Sequence, residues 1–281
     1  MNHIRLTTIL TACMALTSTT RAATMVGQWT FENGSLSDST GHFGNLVLQG
    51  NATVVNGALD VNGSATSPTG WASTPGGAGS PLNPGAGGGV AVSSKTLVSW
   101  ITLQSLSPIV RAGSAMTLDS VSTDNFDGIV FAEKDANNWM SGSTNWFRSP
   151  NGQFNQTAVS TETGTGTIMQ LAITYQVSGS TVTVTGYRNG VLMGTYSSGS
   201  AASWAAGDQE VIFGTRHISP PGANAYTVNG GLDALIHEAR LYDGALTQTE
   251  IAALTMVPEP SAGMLGILSV ALLGARRRRR V

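Results

Sequence analysis

Residues 168–197 read IMQLAITYQV SGS TVTVTGYR NG VLMGTYS, three short runs rich in β-forming residues separated by two turns. In the middle run Val182 and Val184 alternate with threonines, as in a strand that buries one face. Asn189-Gly190 suits a type I′ turn, in which both central residues need a positive φ. The stretch therefore predicts a three-stranded antiparallel meander, with strands over 168–177, 181–188 and 191–197.

Short apolar runs separated by glycine, asparagine, serine and proline continue over the rest of the body. Charged residues make up only 11% of the chain, against about 25% in an average soluble domain, and with 35 glycines this argues against a helical bundle. The breaker-rich segment 73–89 is interpreted as a surface loop within one domain, because the strands before it are too few to close a core. A linker is the alternative. The remaining runs predict strands over 25–31, 45–49, 58–61, 96–103, 126–134, 145–149, 210–215 and 232–242.

One helix is predicted near the end of the body. Thr247 and Glu250 form the pattern of a capping box, and Leu246 and Ile251 occupy the two staple positions around it. The helix should run over about 248–254. Many short strands with one terminal helix and no alternation of strands and helices predict an all-β sandwich of two antiparallel sheets.

The charge is unevenly distributed along the chain. Residues 24–257 carry 7 basic and 15 acidic side chains, a formal net charge of −8. An acidic body has no electrostatic footprint for nucleic acid, so no nucleic-acid partner is expected. The only cysteine is Cys13, which excludes a disulfide, a thiolate metal site or a cysteine nucleophile from the body.

The first 23 residues are typical of a secretory signal peptide. A weakly basic start is followed by an apolar run over 6–16 and by small residues up to Ala22 and Ala23. Cleavage after one of these two alanines is expected. The body would then be exported from the cytoplasm.

Residues 255–281 form a second targeting segment. The motif Pro258-Glu259-Pro260 precedes an apolar run over 262–275 and five basic residues, Arg276, Arg277, Arg278, Arg279 and Arg280. As a helix this run of about 14 residues reaches only about 21 Å, and a comfortable membrane span needs about 20 residues. By the positive-inside rule the arginines stay cytoplasmic and the body lies outside. An ordinary tail anchor is the alternative interpretation.

The three-part tail resembles the PEP-CTERM sorting signal of Gram-negative bacteria. That resemblance implies recognition, and cleavage, by an exosortase membrane protease, with a transient membrane anchor over 261–275. It also implies a final location in the cell envelope, on the outer surface or in an extracellular polysaccharide matrix.

The two ends of the body carry a second resemblance. The opening Gly27-Gln28-Trp29-Thr30-Phe31 with Asp38-Ser39-Thr40-Gly41, and the close over 231–254, look like those of a LamG-like jelly-roll domain. The resemblance implies a concanavalin A-like fold of two curved antiparallel sheets over residues 24–254. It also implies that the last strand, 232–242, pairs beside the first, 25–31, so that the chain ends lie close together.

No catalytic motif is complete. Glycosidases of the laminarinase type, which this fold resembles, carry three acidic residues on one strand, whereas here Glu133-Lys134-Asp135 is followed by alanine and two asparagines. Asp233 and Glu238 fall on opposite faces of one strand. His237-Glu238 lacks the second histidine of a zinc protease. We therefore expect no enzyme activity.

Two candidate binding sites remain. Calcium sites at a loop rim are implied by the LamG resemblance, and hard cations need several oxygen ligands from such loops; the candidates are Asp119, Asp124, Asn125 and Asp127. An acidic turn exposed to solvent is the alternative. Tryptophans in or beside loop-like segments could stack on sugar rings, or could cover the edges of the core instead: Trp71, Trp139, Trp146 and Trp204. The run 141–145 between two of them is interpreted as a sugar-binding loop.

The function expected from these features is non-catalytic binding of carbohydrate or exopolysaccharide by an exported protein. A polysaccharide hydrolase with an unrecognised site is the alternative from the enzyme class. A purely structural or adhesive envelope protein is the third possibility. A pair of carboxylates about 5–10 Å apart on an open face would favour the enzyme.

Overall fold

The computed structural model describes residues 22–63, 70–76, 88–106, 113–123, 125–149, 160–219 and 227–257. Within these ranges the chain forms sixteen strands, one α-helix and two short 3₁₀ turns. The strands in chain order are β1 (Met25–Trp29), β2 (Val47–Gly50), β3 (Thr53–Val55), β4 (Ala58–Asp60), β5 (Gly70–Ser73), β6 (Lys95–Leu103), β7 (Gly113–Ser120), β8 (Phe126–Phe131), β9 (Trp139–Ser143), β10 (Ile168–Ser178), β11 (Thr181–Arg188), β12 (Val191–Ser198), β13 (Gln209–Phe213), β14 (His217–Ser219), β15 (Thr227–Asn229) and β16 (Ala234–Tyr242).

Among the described residues, eight strands form the first sheet: seven follow the order β12-β11-β10-β6-β16-β4-β3, and the eighth, β1, pairs with β16 beside β4. Strand β16 is paired along one edge with β6, and along its other edge with β4 and then with β1. Gln28 lies opposite Arg240, and Trp29 lies opposite Ala239. The predicted pairing of the last strand with the first is therefore confirmed.

Six strands form the second sheet, in the order β2-β5-β13-β7-β8-β9, and β14 pairs with β15 in a separate hairpin. All of these pairings are antiparallel. The predicted all-β sandwich with one short helix is confirmed. The predicted apolar helix of the tail lies outside the described residues.

Strands from both sides of the segment 73–89 lie in the same sheets. In the first sheet β4 pairs with β16, and in the second β5 pairs with β13. Burial of apolar side chains between the two sheets therefore holds together parts of the chain that are more than 130 residues apart.

The core lies between the sheets and is centred on aromatic rings. Trp29 is fully buried, with its ring centroid 5.5 Å from that of Phe43 and 5.7 Å from that of Phe213. Phe31 meets Phe213 edge to face at 5.9 Å. Aromatic pairs at these separations stabilise a core beyond the area that they bury.

The turn over 38–41 is held by one carboxylate. Asp38 accepts hydrogen bonds from the backbone N–H groups of Gln28, Thr40, His42 and Phe43, at 2.8–3.0 Å. The hydroxyl of Thr40 donates to the same carboxylate. The aspartate of the Asp-Ser-Thr-Gly motif in the LamG resemblance therefore has a structural role, because it holds the loop over 38–43 to β1.

The locally encoded elements form as predicted. Asn189 and Gly190 have φ values of 50° and 72°, as the type I′ turn requires. The helix α1 (Gln248–Ala253) begins at a capping box in which Thr247 accepts from the Glu250 N–H and Glu250 accepts from the Thr247 N–H.

The two ends of the described body meet at Glu238 on β16. Its carboxylate accepts hydrogen bonds from Gln28 Nε2 at 2.7 Å, from Arg240 Nε at 2.6 Å and from the backbone N–H of Val257 at 2.7 Å. Arg240 also donates to the carbonyl of Thr255. Both ends of the body are thus tied to one side chain.

One predicted strand is absent, and six strands of the described residues were not predicted: β3, β5, β7, β9, β14 and β15. Residues 145–149 are not a strand: a 3₁₀ turn covers Thr144–Trp146. The central strand β7 was not predicted, because its small and polar residues are buried on both faces of the second sheet and show no alternation.

No helix among the residues that the structure describes has the length and apolar character needed to cross a membrane.

Replacing Trp29 with alanine should lower the free energy of unfolding of the whole body by about 3–5 kcal/mol, the range for losing a buried aromatic side chain. Denaturant unfolding followed by fluorescence and circular dichroism measures this. Val191→Ala is the matched control, because Val191 is 51% exposed and its loss should cost less than about 0.5 kcal/mol. Proteolysis within 73–89 that releases a C-terminal fragment of unchanged stability would contradict the single sandwich.

Candidate functional site

A buried ionic cluster bridges the two sheets at one end of the sandwich. Asp127 on β8 lies opposite Leu118, so its side chain shares the inner face of the second sheet with that core leucine. Lys95, the first residue of β6 in the other sheet, places Nζ 2.6 Å from Asp127 Oδ2. Arg148 places Nε 2.7 Å from Asp127 Oδ1 and donates from Nη2 to the Phe126 carbonyl at 2.9 Å. The ionic cluster is hereafter Lys95, Asp127 and Arg148.

Aromatic rings enclose the ammonium group of Lys95. Nζ lies 3.7 Å from the ring centroid of Trp204 and 4.4 Å from that of Tyr175. Burial lowers the pKa of Lys95 to about 8, against the opposing attraction of Asp127. Burial raises the pKa of Tyr175 well above its usual value. The negative charge of Asp127 nearby raises that pKa further, because it repels the phenolate.

A pocket of about 540 Å³ lies at the same end of the sandwich. Three segments line it: the approach to β6, the β7–β8 connection and the β12–β13 connection. Most of the lining side chains are small and carry a hydroxyl, an amide or a carboxylate. They are Ser93, Ser120, Ser122, Thr123, Asn125, Ser203 and Asp208, with Ala91, Val92, Trp204 and Ala205 as the apolar part. This is the rim pocket.

Asp208 joins two walls of the rim pocket. Its carboxylate accepts hydrogen bonds from the hydroxyls of Ser120 and Ser122 at 2.9 and 2.7 Å, and from the backbone N–H of Ser122 at 2.8 Å. The connection between β12 and β13 is therefore fastened to that between β7 and β8. Trp204 links the rim pocket to the ionic cluster, because it lines the pocket and covers Lys95.

The family model of the Concanavalin A-like lectin/glucanases superfamily matches residues 76–252. The chain belongs to this superfamily. The comparison with curated proteins gives no match.

Two solved toxin structures share the fold of this superfamily member. Botulinum neurotoxin type C, whose cell entry is dependent upon interaction with two ganglioside molecules, is 12% identical over 82% of this chain, with a TM-score of 0.50. The binding domain of botulinum neurotoxin serotype D is 10% identical over 81% of this chain, also with a TM-score of 0.50. The chain spans about half the length of these toxin chains, since 50% of each is covered.

A further similarity is to the heptameric SAP-like pentraxin from Limulus polyphemus, at 15% identity and a TM-score of 0.41, over 58% of this chain and 70% of that one. The predicted concanavalin A-like jelly roll is confirmed by the superfamily match and the toxin structures.

The tryptophans proposed to stack on sugars are buried instead. Trp139 is 0%, Trp204 2% and Trp71 6% exposed. Trp139 donates from Nε1 to Glu162 at 2.9 Å, and Trp71 packs against Ile212 and Ile218. The prediction of exposed rings was wrong for these three, because a strand or a covering loop buries each large apolar surface. Trp146 lies in the 3₁₀ turn, and its side chain lies outside what the structure describes.

The run interpreted as a sugar-binding loop is largely a strand. Residues 139–143 form β9, which pairs with β8. Ser141 and Ser143 are buried, and the Ser141 hydroxyl contacts that of Tyr196. Gly142 allows close packing, because a Cβ there would lie 2.4 Å from Val130 Cγ2. Small polar residues are therefore used here for interior hydrogen bonds.

The proposed calcium ligands do not form one cluster. Asp127 faces the core, whereas Asp119 lies on the outer face of the second sheet, where it contacts His217 Nδ1 at 2.9 Å. Successive residues of a strand point to opposite faces, and Asp127 shares a face with Leu118, the residue before Asp119. These two carboxylates therefore cannot bind one cation. Asn125 lines the rim pocket, and Asp124 lies outside the described residues. Within the described ranges, no group of three histidine, cysteine, aspartate or glutamate residues is arranged to hold a metal.

Asp119 and Glu210 lie directly opposite each other on β7 and β13. Both are buried, and the imidazole of His217 stacks on Phe126 beside them, with ring centroids 4.6 Å apart. Burial raises the pKa of Asp119, although the contact with His217 acts in the other direction. Both carboxylates are buried, and β14 contacts Asp119 through His217 and Ile218, so the pair does not flank an open cleft.

Sequence reasoning did not identify Asp208, Lys95 or Arg148. Lys95 gave a signal, because it is one of only two lysines and begins the most apolar strand. No sequence pattern indicated Asp208, because its hydrogen-bond partners Ser120 and Ser122 are more than 80 residues away in the chain. The sorting residues Pro258, Glu259, Pro260 and Arg276 to Arg280 lie outside the described residues.

Replacing Asp208 with alanine should lower the free energy of unfolding by about 1–3 kcal/mol, because three donors lose their acceptor. Hydrogen exchange of the amides over 121–123 should become faster, since the Ser122 N–H is released. Urea unfolding and exchange mass spectrometry measure the two effects. Asp135→Ala, in an exposed turn, is the control, and equal behaviour of the two variants would show that Asp208 does not fasten the pocket.

Proposed function

We propose that the protein binds carbohydrate through the rim pocket without catalysing a reaction on it. The observation that carries this proposal is the lining of the pocket. Hydroxyl, amide and carboxylate groups from three segments converge on one cavity of about 540 Å³. Its volume falls in the range of about 300–1,000 Å³ that is usual for small-molecule sites. Its lining is more polar than that of most such sites, which suits a polar ligand.

A sugar is suited to this lining because each of its hydroxyl groups both donates and accepts hydrogen bonds. Ser93, Ser203 and Asn125 have no structural hydrogen bond through their side chains in the described part of the chain, so they can turn toward a ligand. Asp208 is held by Ser120 and Ser122, which fixes the walls before a ligand enters. Such preorganisation lowers the entropic cost of binding.

The number of carboxylates in the lining of the rim pocket favours binding over hydrolysis. A glycosidase needs two carboxyl groups on either side of the scissile bond. Among the described residues that line the pocket, Asp208 alone carries a carboxylate. The superfamily includes lectins and glucanases, and this lining supports the lectin-like alternative.

The segments at both ends of the chain support an exported protein. The N-terminal 23 residues fit a signal peptide, and the tail 255–281 fits a substrate of an exosortase-type protease with a transient membrane anchor over 261–275. Export would bring the rim pocket into contact with envelope or matrix polysaccharide. The body would act there as a binding module.

A glycan array with residues 24–257, run with and without calcium, should identify a ligand. For the best ligand, Ser203→Trp should weaken binding at least tenfold, because Ser203 is an exposed lining residue. Asn125→Ala should weaken it about threefold to tenfold, the effect of losing one hydrogen bond. Titration calorimetry measures both.

The matched control for occlusion is Thr165→Trp, an exposed site at the opposite end of β6, and it should leave the dissociation constant unchanged. If Thr165→Trp weakened binding as much as Ser203→Trp, the rim pocket would not be the site.

Release of reducing ends from the bound polysaccharide would favour the hydrolase. Absence of any glycan ligand would favour a structural or adhesive role. If glycan binding requires calcium, a cation site that includes Asn125 and Asp124 would be favoured.

The mature protein should lack residues 261–281, because the Pro-Glu-Pro motif with the arginine run is expected to direct processing. Mass spectrometry of the protein isolated from its own envelope measures the C-terminus. A variant with Pro258 and Pro260 replaced by alanine should keep the tail. An intact peptide ending at Val281 in the wild-type protein would contradict the sorting proposal.

A further inference from the structure

Lys95 and Asp127 are held at contact distance between the two sheets. Their side chains are 1% and 0% exposed, and Nζ lies 2.6 Å from Oδ2. The two oxygens of Asp127 have different surroundings. Oδ1 accepts from Arg148 Nε at 2.7 Å, whereas Oδ2 has no hydrogen-bond donor near it other than the Lys95 ammonium, within the described residues.

The pair is shielded from water. The Trp204 and Tyr175 rings lie against Nζ, where their faces attract the ammonium but cannot replace the hydrogen bonds of water. Removing both charges of the pair from water costs several kcal/mol per ion. Transfer of one proton across the 2.6 Å contact neutralises Lys95 and Asp127, and leaves Arg148 as the charged member of the ionic cluster. Burial lowers the pKa of Lys95 to about 8, which agrees with access to a neutral amine at physiological pH.

We propose that Lys95 and Asp127 condense to an intramolecular isopeptide bond that joins the two sheets covalently. A proton passes from Nζ to Oδ2, and the nitrogen lone pair then attacks Cγ of the neutral carboxyl group. Oδ2 takes a second proton from Nζ and leaves as water. The C–Oδ2 bond breaks, the Cγ–Nζ bond forms, and the product is an amide with a loss of about 18 Da.

Other residues of the site support this step. Arg148 donates to Oδ1, the oxygen that carries negative charge in the tetrahedral intermediate and remains as the amide carbonyl. Well-oriented intramolecular reactions reach effective molarities of about 10⁵–10⁸ M, so the fixed contact between Nζ and the carboxyl group lowers the entropic part of the barrier. The burial of the pair also keeps out the water that would reverse the reaction. The reaction consumes no oxidant, nucleotide or other co-reactant.

The test is the denatured mass of the full-length chain, after identification of its terminal residues and incubation of the folded protein at neutral pH. The wild-type protein should be about 18 Da lighter than the sequence between those termini. Tryptic digestion should yield a branched peptide joining the segment with Lys95 to that with Asp127, and cleavage after Lys95 should be lost.

Lys95→Arg is the decisive control, because the cation remains but the guanidinium does not form the amide. Asp127-Gly128 could also lose water as a backbone succinimide, which has the same mass change. That loss would persist in Lys95→Arg and would give no branched peptide, and this result would overturn the proposal. A wild-type protein that is folded by circular dichroism and has its full calculated mass would overturn it as well, whether or not the variant folds.

Discussion

The charge of Asp127 inside the sandwich constrains the structure around it. A buried carboxylate is tolerated only if opposite charges and hydrogen-bond donors reach it. Here they come from different parts of the chain: Lys95 begins a strand of the other sheet, and Arg148 follows the 3₁₀ turn after β9. One side chain therefore connects the two sheets and holds the segment with Arg148 against them. Trp204 is fixed over Lys95 by the same requirement, which places one wall of the rim pocket.

The features that the sequence predicted are those whose signals are local or repeated. The meander over 168–198, its type I′ turn and the capping box of α1 each depend on residues within a few positions of one another. The pairing of β1 with β16 followed from the resemblance of the chain ends. In contrast, β7 and β9 are buried on both faces by neighbours far along the chain, so their small and polar residues resembled loops.

The binding residues could be predicted only in part, because their positions also depend on contacts between distant parts of the chain. Asp119 and Asp127 are close in sequence, but the register that places Leu118 opposite Asp127 sends their side chains to opposite faces of the sheet. The tryptophans were assigned to the surface from their glycine-rich and serine-rich neighbours, although each is a large apolar group that the fold buries. Asn125 and Trp204 do meet in the rim pocket. What joins them is Asp208, whose hydrogen bonds cross between two connections and leave no pattern in sequence.

The attachment of both ends of the body to Glu238 affects how the body responds to mechanical tension on Val257. A pull on Val257 first loads Glu238 at the middle of β16, before the covalent path through α1 loads the end of that strand at Tyr242. Strand β16 is hydrogen-bonded along both edges, to β6 on one side and to β1 and β4 on the other. Extracting it would require two ladders to rupture together. Force would thus be shared across the first sheet, and the walls of the rim pocket, which are fastened through Asp208, would not lie on the direct path of the load.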